Sequence, residues 1–274
     1  MPQISFASDI HLGFYSSKEL PKYNWHPGSS ILLLAGDIMD GIKPNYIDWV
    51  LNTSSGRQCL MTIGNHELYG SRRDKAIREL ENGFRGTHVQ LLVNESVVID
   101  GIRFAGTDLW TDFALFGNPE IAGRAAERSM NDYRKIKVKD LRRGKATFRK
   151  LRAADTRSWN SEARHFIRRT LENSSEPTVL MTHHGPSIQS IPQHLRSDLI
   201  SAAYASHLDK ELNDNEVRPV AIVHGHIHES AEYELEDGTW VFANPAGYHK
   251  IDANPEFDSQ RAFVVSVSGE LKRV

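Results

Sequence analysis

VAIVHGHIHES, residues 220–230, is the stretch on which the reading of this chain turns. Four apolar residues, Val220 to Val223, stop abruptly at His224, and Gly225, His226 and His228 follow. A short apolar run with turn chemistry behind it reads as a buried central strand that delivers polar side chains at its carboxyl end. The same punctuation recurs four times. ISFA (4–7) runs into Ser8-Asp9-Ile10-His11, and ILLLAG (31–36) into Asp37. CLMTIG (59–64) runs into Asn65-His66-Glu67, and TVLMT (178–182) into His183-His184-Gly185. In open α/β sheets, ligands sit in the crevice beyond the carboxyl ends of the strands. Five strands of this kind are expected to converge on one site.

Helix-compatible segments lie between the runs: NYIDWVLNTS (45–54), RRDKAIRELEN (72–82) and SEARHFIRRTLEN (161–173). Strands alternating with helices predict an α/β sheet. Towards the C-terminus, RFAGTDLW, TWVFANP and RAFVVSVSGELKRV read as closely spaced strands, and Asp237-Gly238 is a hairpin signal. That part is expected to be antiparallel or mixed sheet. Residues 111–175 break the rhythm as a polar, mainly helical insertion on what reads as a single domain over 1–274. From Arg124 to Arg152 it carries 12 Lys and Arg against 3 Asp and Glu. Such a run is either a solvated helical face or a surface that attracts anions, nucleic acid among them.

The 274 residues have a formal net charge of −2, so any taste for polyanions has to be local. Cys59 is the only cysteine, set in an apolar stretch, and reads as a small buried hydrophobe. No apolar run approaches the roughly 20 residues that span a bilayer, and the N-terminus shows no signal-peptide pattern. A cytoplasmic protein without membrane association is expected.

The five clusters combine Asp, Asn and His with no Cys. Such donors suit Mn, Fe or Zn as a reactive centre better than a thiolate structural zinc. Seven oxygen and nitrogen donors exceed one tetrahedral ion and fit two, with Asp37 able to bridge through its two oxygens. Two metals about 3.5–4 Å apart clamp a displacement at phosphorus. Two divalent ions against Asp9, Asp37 and a bridging hydroxide leave a charge of about +1, which favours an anionic substrate.

Asp9-Ile10-His11, Gly36-Asp37, Gly64-Asn65-His66-Glu67, Thr182-His183 and Gly225-His226-Ile227-His228 together resemble the ordered motif set of the calcineurin-like metallophosphoesterases. The resemblance implies an αββα sandwich of four layers, two mixed sheets face to face with helices outside. It implies that Asp9, His11, Asp37 and His228 bind one ion, and that Asp37, Asn65, His183 and His226 bind the other. Manganese is favoured for both. A metal-bridging hydroxide would attack phosphorus, with His66 beside the substrate as the catalytic histidine. The expected activity is hydrolysis of a phosphate ester, foremost a phosphodiester of a nucleotide-like or other small anionic substrate. The alternatives are a nuclease or nucleotide-sugar pyrophosphatase, a phosphomonoesterase or protein phosphatase, and, least favoured, a non-catalytic metal-binding scaffold.

The neighbouring residues have plainer readings. His224 and His184 are expected to pack or support rather than ligate, Asp40 to hold a neighbouring group in place, and Glu67 to serve a helix start or a ligand's surroundings. Trp110 and Phe113 read as core, and Asp108 and Asp112 as turn or capping residues.

Overall fold

The structure is a computed structural model and describes residues 1–16, 19–142, 145–213 and 218–274. The apolar runs form strands in register. β1 (Gln3–Ala7), β2 (Ile31–Ala35), β3 (Gln58–Thr62) and β4 (Val89–Leu91) lie parallel and side by side. Crossovers through α1 (Pro44–Thr53) and α2 (Arg73–Phe84) link β2 to β3 and β3 to β4. A tight turn at Asp100-Gly101 then joins β5 (Glu95–Ile99) antiparallel to β6 (Ile102–Thr107) and begins a second sheet.

The 111–175 segment follows. It contains α3 (Pro119–Ser129), α4 (Asp132–Lys135), a hairpin of β7 (Lys137–Arg142) and β8 (Lys145–Lys150), and α5 (Ala153–Glu172). The hairpin was not anticipated, because its Lys-rich strands lack an apolar alternation.

β9 (Thr178–Thr182) re-enters the second sheet parallel to β6, and β10 (Ala221–His224) follows after α6 (Leu208–Asn213). β11 (Ala231–Glu234) turns at Asp237-Gly238 into β12 (Trp240–Ala243), which pairs antiparallel to β11 and parallel to β10. After a short ribbon of β13 (Gly247–Tyr248) and β14 (Asp252–Ala253), the chain returns to the first sheet. There β15 (Ala262–Val265) lies antiparallel to β1, and β16 (Leu271–Arg273) antiparallel to β15. The result is two six-stranded mixed sheets, ordered β16-β15-β1-β2-β3-β4 and β11-β12-β10-β9-β6-β5.

Alternation along the strands sorts side chains into layers. Ile4, Phe6, Leu33, Leu60, Val179, Met181, Val223 and Phe263 fill the space between the sheets. Their neighbours face outward: Leu32, Leu34 and Met61 pack with α1 and α2, and Leu180 and Ile222 with α5 and α6. Four layers, helix on sheet on sheet on helix, follow from this one alternation. Both sheets aim the carboxyl ends of their central parallel strands at the same rim. Among the described residues, no helix is long and apolar enough to cross a membrane.

Candidate metal centre

Each central strand delivers its cluster within a few residues of its end. Asp9 and His11 follow β1, Asp37 follows β2, Asn65 and His66 follow β3, His183 follows β9, and His226 and His228 follow β10. All eight come together. His11 Nε2 lies 3.1 Å from His228 Nε2, and His228 Nε2 lies 3.5 Å from Asp9 Oδ1. His183 Nε2 lies 3.0 Å from Asn65 Oδ1 and 3.5 Å from Asp37 Oδ2, and His226 Nδ1 lies 3.1 Å from Asn65 Oδ1. Asp37 Oδ2 stands between the two groups, 3.9 Å from both His11 Nε2 and His66 Nε2.

The backbone that makes this convergence is strained. Asp9, His11, Asp37 and His226 all adopt left-handed conformations, with φ of 52°, 50°, 53° and 69°. Each such residue costs on the order of 1–3 kcal/mol and persists only where its surroundings hold it. Here the surroundings are backbone bonds between the loops: Asp9 N–H donates to Gly36 O and His11 N–H to Asp37 O, both at 3.0 Å. The glycines have a separate reason. A Cβ on Gly64 would sit 2.2 Å from Asp37 Oδ1, and one on Gly225 would sit 2.6 Å from Asp9 Oδ2.

Glu67 accepts four backbone hydrogen bonds, from Gly64 and Ile38 at 2.7 Å and from Asp37 and Met39 at 3.0 Å. It ties the loop after β2 to the loop after β3. Asp40 Oδ1 accepts from His66 Nδ1 at 2.5 Å and lies 3.7 Å from His11 Nδ1, so the Nε2 atoms of both rings face the centre. His183 donates Nδ1–H to Ala35 O at 2.9 Å, which likewise leaves Nε2 facing inward.

Residues 2–230 match the calcineurin-like phosphoesterase family. The chain belongs to that family. This calcineurin-like phosphoesterase is 28% identical over 200 residues to uncharacterized protein L509 of Acanthamoeba polyphaga mimivirus, a stretch covering 68% of this chain and 66% of that protein. The chain therefore spans just under two thirds of that relative's length. The crystal structure of phosphopantetheinyl hydrolase from Mycobacterium tuberculosis aligns over 100% of this chain and 95% of its own, with a TM-score of 0.63 and 19% identity. That likeness is one of fold. The chain's family works with two divalent metal ions, and the described residues include His and Asp clusters with the spacing to hold such ions.

The residues of this phosphoesterase fit such ions. Metal–ligand bonds of about 2.0–2.2 Å place adjacent ligands about 3 Å apart, and the donor separations above are of that size. Asn65 donates its Nδ2–H to Asp132 Oδ1 at 2.8 Å, so its Oδ1 is the atom aimed at the imidazoles. Asn65 Oδ1 then faces the inward Nε2 of His183 at 3.0 Å, a pair that either a proton on Nε2 or a metal ion would satisfy. Among the described residues, three groups of His and Asp side chains have the spacing to hold an ion: Asp9-His11-His228, His11-Asp37-His66 and Asp37-His183-His226. The electrostatics agree. Burial opposes the charged form of His183, yet the Asp37 carboxylate beside it prevails and pushes it up to about 10. Asp37 and Asp9 stay ionised despite full burial, drawn down chiefly by His183 and His228 respectively. The cavity calls for positive charge.

The cleft above the centre encloses about 640 Å³ and is lined by Asp37, Asn65, His66, His226 and His228. Tyr69, Tyr204, Tyr248 and Ile200 are among its walls. The 111–175 segment reaches it through residues 129–132. Sequence reasoning missed Asp132, Tyr69 and Tyr248. Asp132 Oδ1 also accepts from Tyr69 at 2.9 Å, and Tyr248 Oη lies 3.2 Å from His66 Nε2. These three sit outside every motif, so no local pattern marks them.

The plainer side chains are placed as follows. His224 is buried, its Nδ1 2.9 Å from Gly225 O and its Nε2 3.0 Å from Ser190 Oγ, and burial lowers it to about 4. His184 donates Nδ1–H to Asp108 O at 3.1 Å and stacks on Trp110, and burial, then His183, lowers it to about 3. Trp110 and Phe113 are buried. Asp108 pairs with Arg73, while Asp112 accepts from Ala114 N–H and pairs with Arg164.

Proposed function

We propose that this phosphoesterase cleaves phosphodiesters, with a nucleotide-like or other small anion as substrate and manganese as its metal. Asp9, His11, Asp37 and His228 are assigned to one ion, and Asp37, Asn65, His183 and His226 to the other. When bound, the two ions lower the pKa of coordinated water towards about 7 and offset charge on the phosphoryl oxygens. The protein's own contribution is orientation and one proton. Asp40 fixes His66 with Nδ1–H outward and Nε2 in the cleft. Burial disfavours the His66 cation, but Asp37 and Asp40 raise its pKa above the usual histidine value. With Nδ1 held by Asp40, Nε2 is the ring atom that would face the departing oxygen, and Tyr248 Oη stands 3.2 Å from it.

The observation that favours a diester is the charge of the cleft. Among the described residues its lining includes no lysine or arginine, and beyond the centre it adds Asp132, Glu229 and Asp252. A loaded centre of about +1, to which the described lining adds no lysine or arginine, suits a diester monoanion better than a monoester dianion. The tyrosines and Ile200 leave apolar wall for the second ester substituent.

The test is turnover of bis(p-nitrophenyl) phosphate against p-nitrophenyl phosphate with added Mn²⁺, with Asp37→Asn as control. Faster diester turnover that vanishes in the variant supports the reading. Monoester preference, or turnover retained in Asp37→Asn, overturns it.

A further inference from the structure

The β7–β8 hairpin belongs to neither large sheet, and its two faces differ in kind. Residues directly opposed across the ribbon share a face. Lys137 opposes Lys150, Lys139 opposes Phe148, and Leu141 opposes Ala146. All six side chains are exposed, Phe148 at 56% and Leu141 at 71%. The other face is half-buried through Val138, Asp140, Thr147 and Arg149, with Arg149 donating to Asp155 at 2.5 and 2.7 Å. On the outward face, no described carboxylate pairs with Lys137, Lys139 or Lys150. Like charges directly across a ladder are destabilising, so the Lys137–Lys150 pair is sustained against its local interest unless an anion bridges it.

The hairpin also begins at the wall of the cleft. Asp132 of α4 holds the Asn65 amide, and three residues later Lys135 sits 4.5 Å over the ring of Tyr69, another cleft residue. Gly70 N–H donates to Lys135 O and Lys137 N–H to Ser71 O, pinning the start of β7 to the same loop. Lysines two apart on a strand stand about 6.7 Å apart, comparable to the step between phosphates of an extended single strand. Phe148, with Arg72 4.6 Å from its ring, offers a face on which a base can stack.

We propose that the outward face of the β7–β8 hairpin is a docking surface for single-stranded nucleic acid, tracking the backbone of a polynucleotide whose end or internal phosphodiester enters the cleft. This rests on the phosphodiesterase reading above and narrows its substrate class. The lysines contact phosphates, and Phe148 stacks on a base without selecting sequence.

The experiment measures anisotropy of a fluorescein-labelled, phosphorothioate-linked strand of about 16 nucleotides on the Mn²⁺-loaded full chain, across a salt series. The comparison is Lys137→Glu/Lys139→Glu/Lys150→Glu, with the Lys→Gln set replacing it should the reversal lower the melting temperature. The wild type is expected to bind with a steep salt dependence. The triple variant should bind at least about tenfold more weakly, with a log–log slope shallower by about 2, since each phosphate contact contributes about 0.7 on single strands. Phe148→Ala should lose about five- to tenfold with the slope unchanged. Hydrolysis of bis(p-nitrophenyl) phosphate should be the same in all of them. Absence of binding by the wild type, or equal affinity and slope in the triple variant, overturns the proposal. So does lysine-dependent binding to phosphatidylserine vesicles with none to the strand, which would make the face a membrane contact. Lysine-dependent strand binding without any diester turnover would instead defeat the phosphodiesterase reading and leave the docking surface standing.

Discussion

The two sheets meet at one rim but bring different chemistry to it. The loops of the first sheet supply every oxygen donor of the candidate centre, Asp9, Asp37 and Asn65, together with His11 and His66. The loops of the second supply only imidazoles, His183, His226 and His228. Two of the three candidate ion-holding groups draw on both sheets. The first sheet creates the negative potential that attracts a cation, and the second completes its coordination with neutral nitrogen. The first sheet alone offers one such group, His11-Asp37-His66, and the other two need both sheets. The centre is therefore a property of the sheet–sheet packing, made by Phe6, Leu33, Met181 and Val223 as much as by the ligands.

The sharpest way to break this division is at Asp37, the carboxylate that faces imidazoles of both sheets. Asp37→Asn is expected to lower kcat/KM for bis(p-nitrophenyl) phosphate at least about a thousandfold, on the order of 4 kcal/mol in the transition state. Metal analysis of the purified variant should show both ions depleted. Loss of only one ion would mean that the two sheets hold metal independently.

Asp132 tests whether the inserted segment supports the first sheet's donors. Asp132→Ala removes the acceptor that orients the Asn65 amide. Metal affinity should fall about 10- to 100-fold, with turnover restored at high Mn²⁺. A variant whose metal titration matches the wild type would reduce Asp132 to packing.

Gly64→Ala probes fit without replacing a ligand. Its Cβ would press on Asp37 Oδ1 at 2.2 Å, and overpacking of this kind costs about 1–3 kcal/mol. The expected readout is a lower melting temperature, with a larger loss of metal affinity than of stability.

The smallest effect belongs to the second sheet's interior. His224 is held neutral at about 4 by burial, below the ordinary 6.5 of the unfolded chain. Between these values the unfolded state binds the proton and the folded state does not, so this contribution is present above pH 6.5 and lost as pH falls towards 4. In the metal-free protein, His224→Gln should flatten the fall in unfolding free energy over that window by about 1 kcal/mol per pH unit. An unchanged slope would show that His224 titrates normally.

The strand ends were legible because burial on both faces forces continuous apolar runs, and the site begins where each run stops. All eight candidate residues lie within six residues of such an end. Asp132, Tyr69 and Tyr248 were not legible, since they enter the cleft from an inserted helix, a loop and a two-residue strand, where spacing carries no signal. The β7–β8 hairpin was missed for a related reason. One of its faces is lysine-rich and exposed, so the alternation that marks a half-buried strand is written in charge and not in apolarity. Asp237-Gly238, by contrast, signalled its turn plainly, and Gly238 has φ of 85° there.

The pairing of β1 with β15 has a consequence for how the protein is made. β1 leaves the ribosome more than 200 residues before its antiparallel neighbour, Ala262–Val265. The loop bearing Asp9 is gripped from the same late region: Ala246 N–H donates to Ser8 O and Gly247 N–H to Asp9 O, both at 3.0 Å. The parallel core of the first sheet can assemble early. Its ligand loop acquires its native hold only after residues 246–265 are synthesised, so a nascent chain stalled before residue 262 would carry an open sheet edge and an unfinished centre.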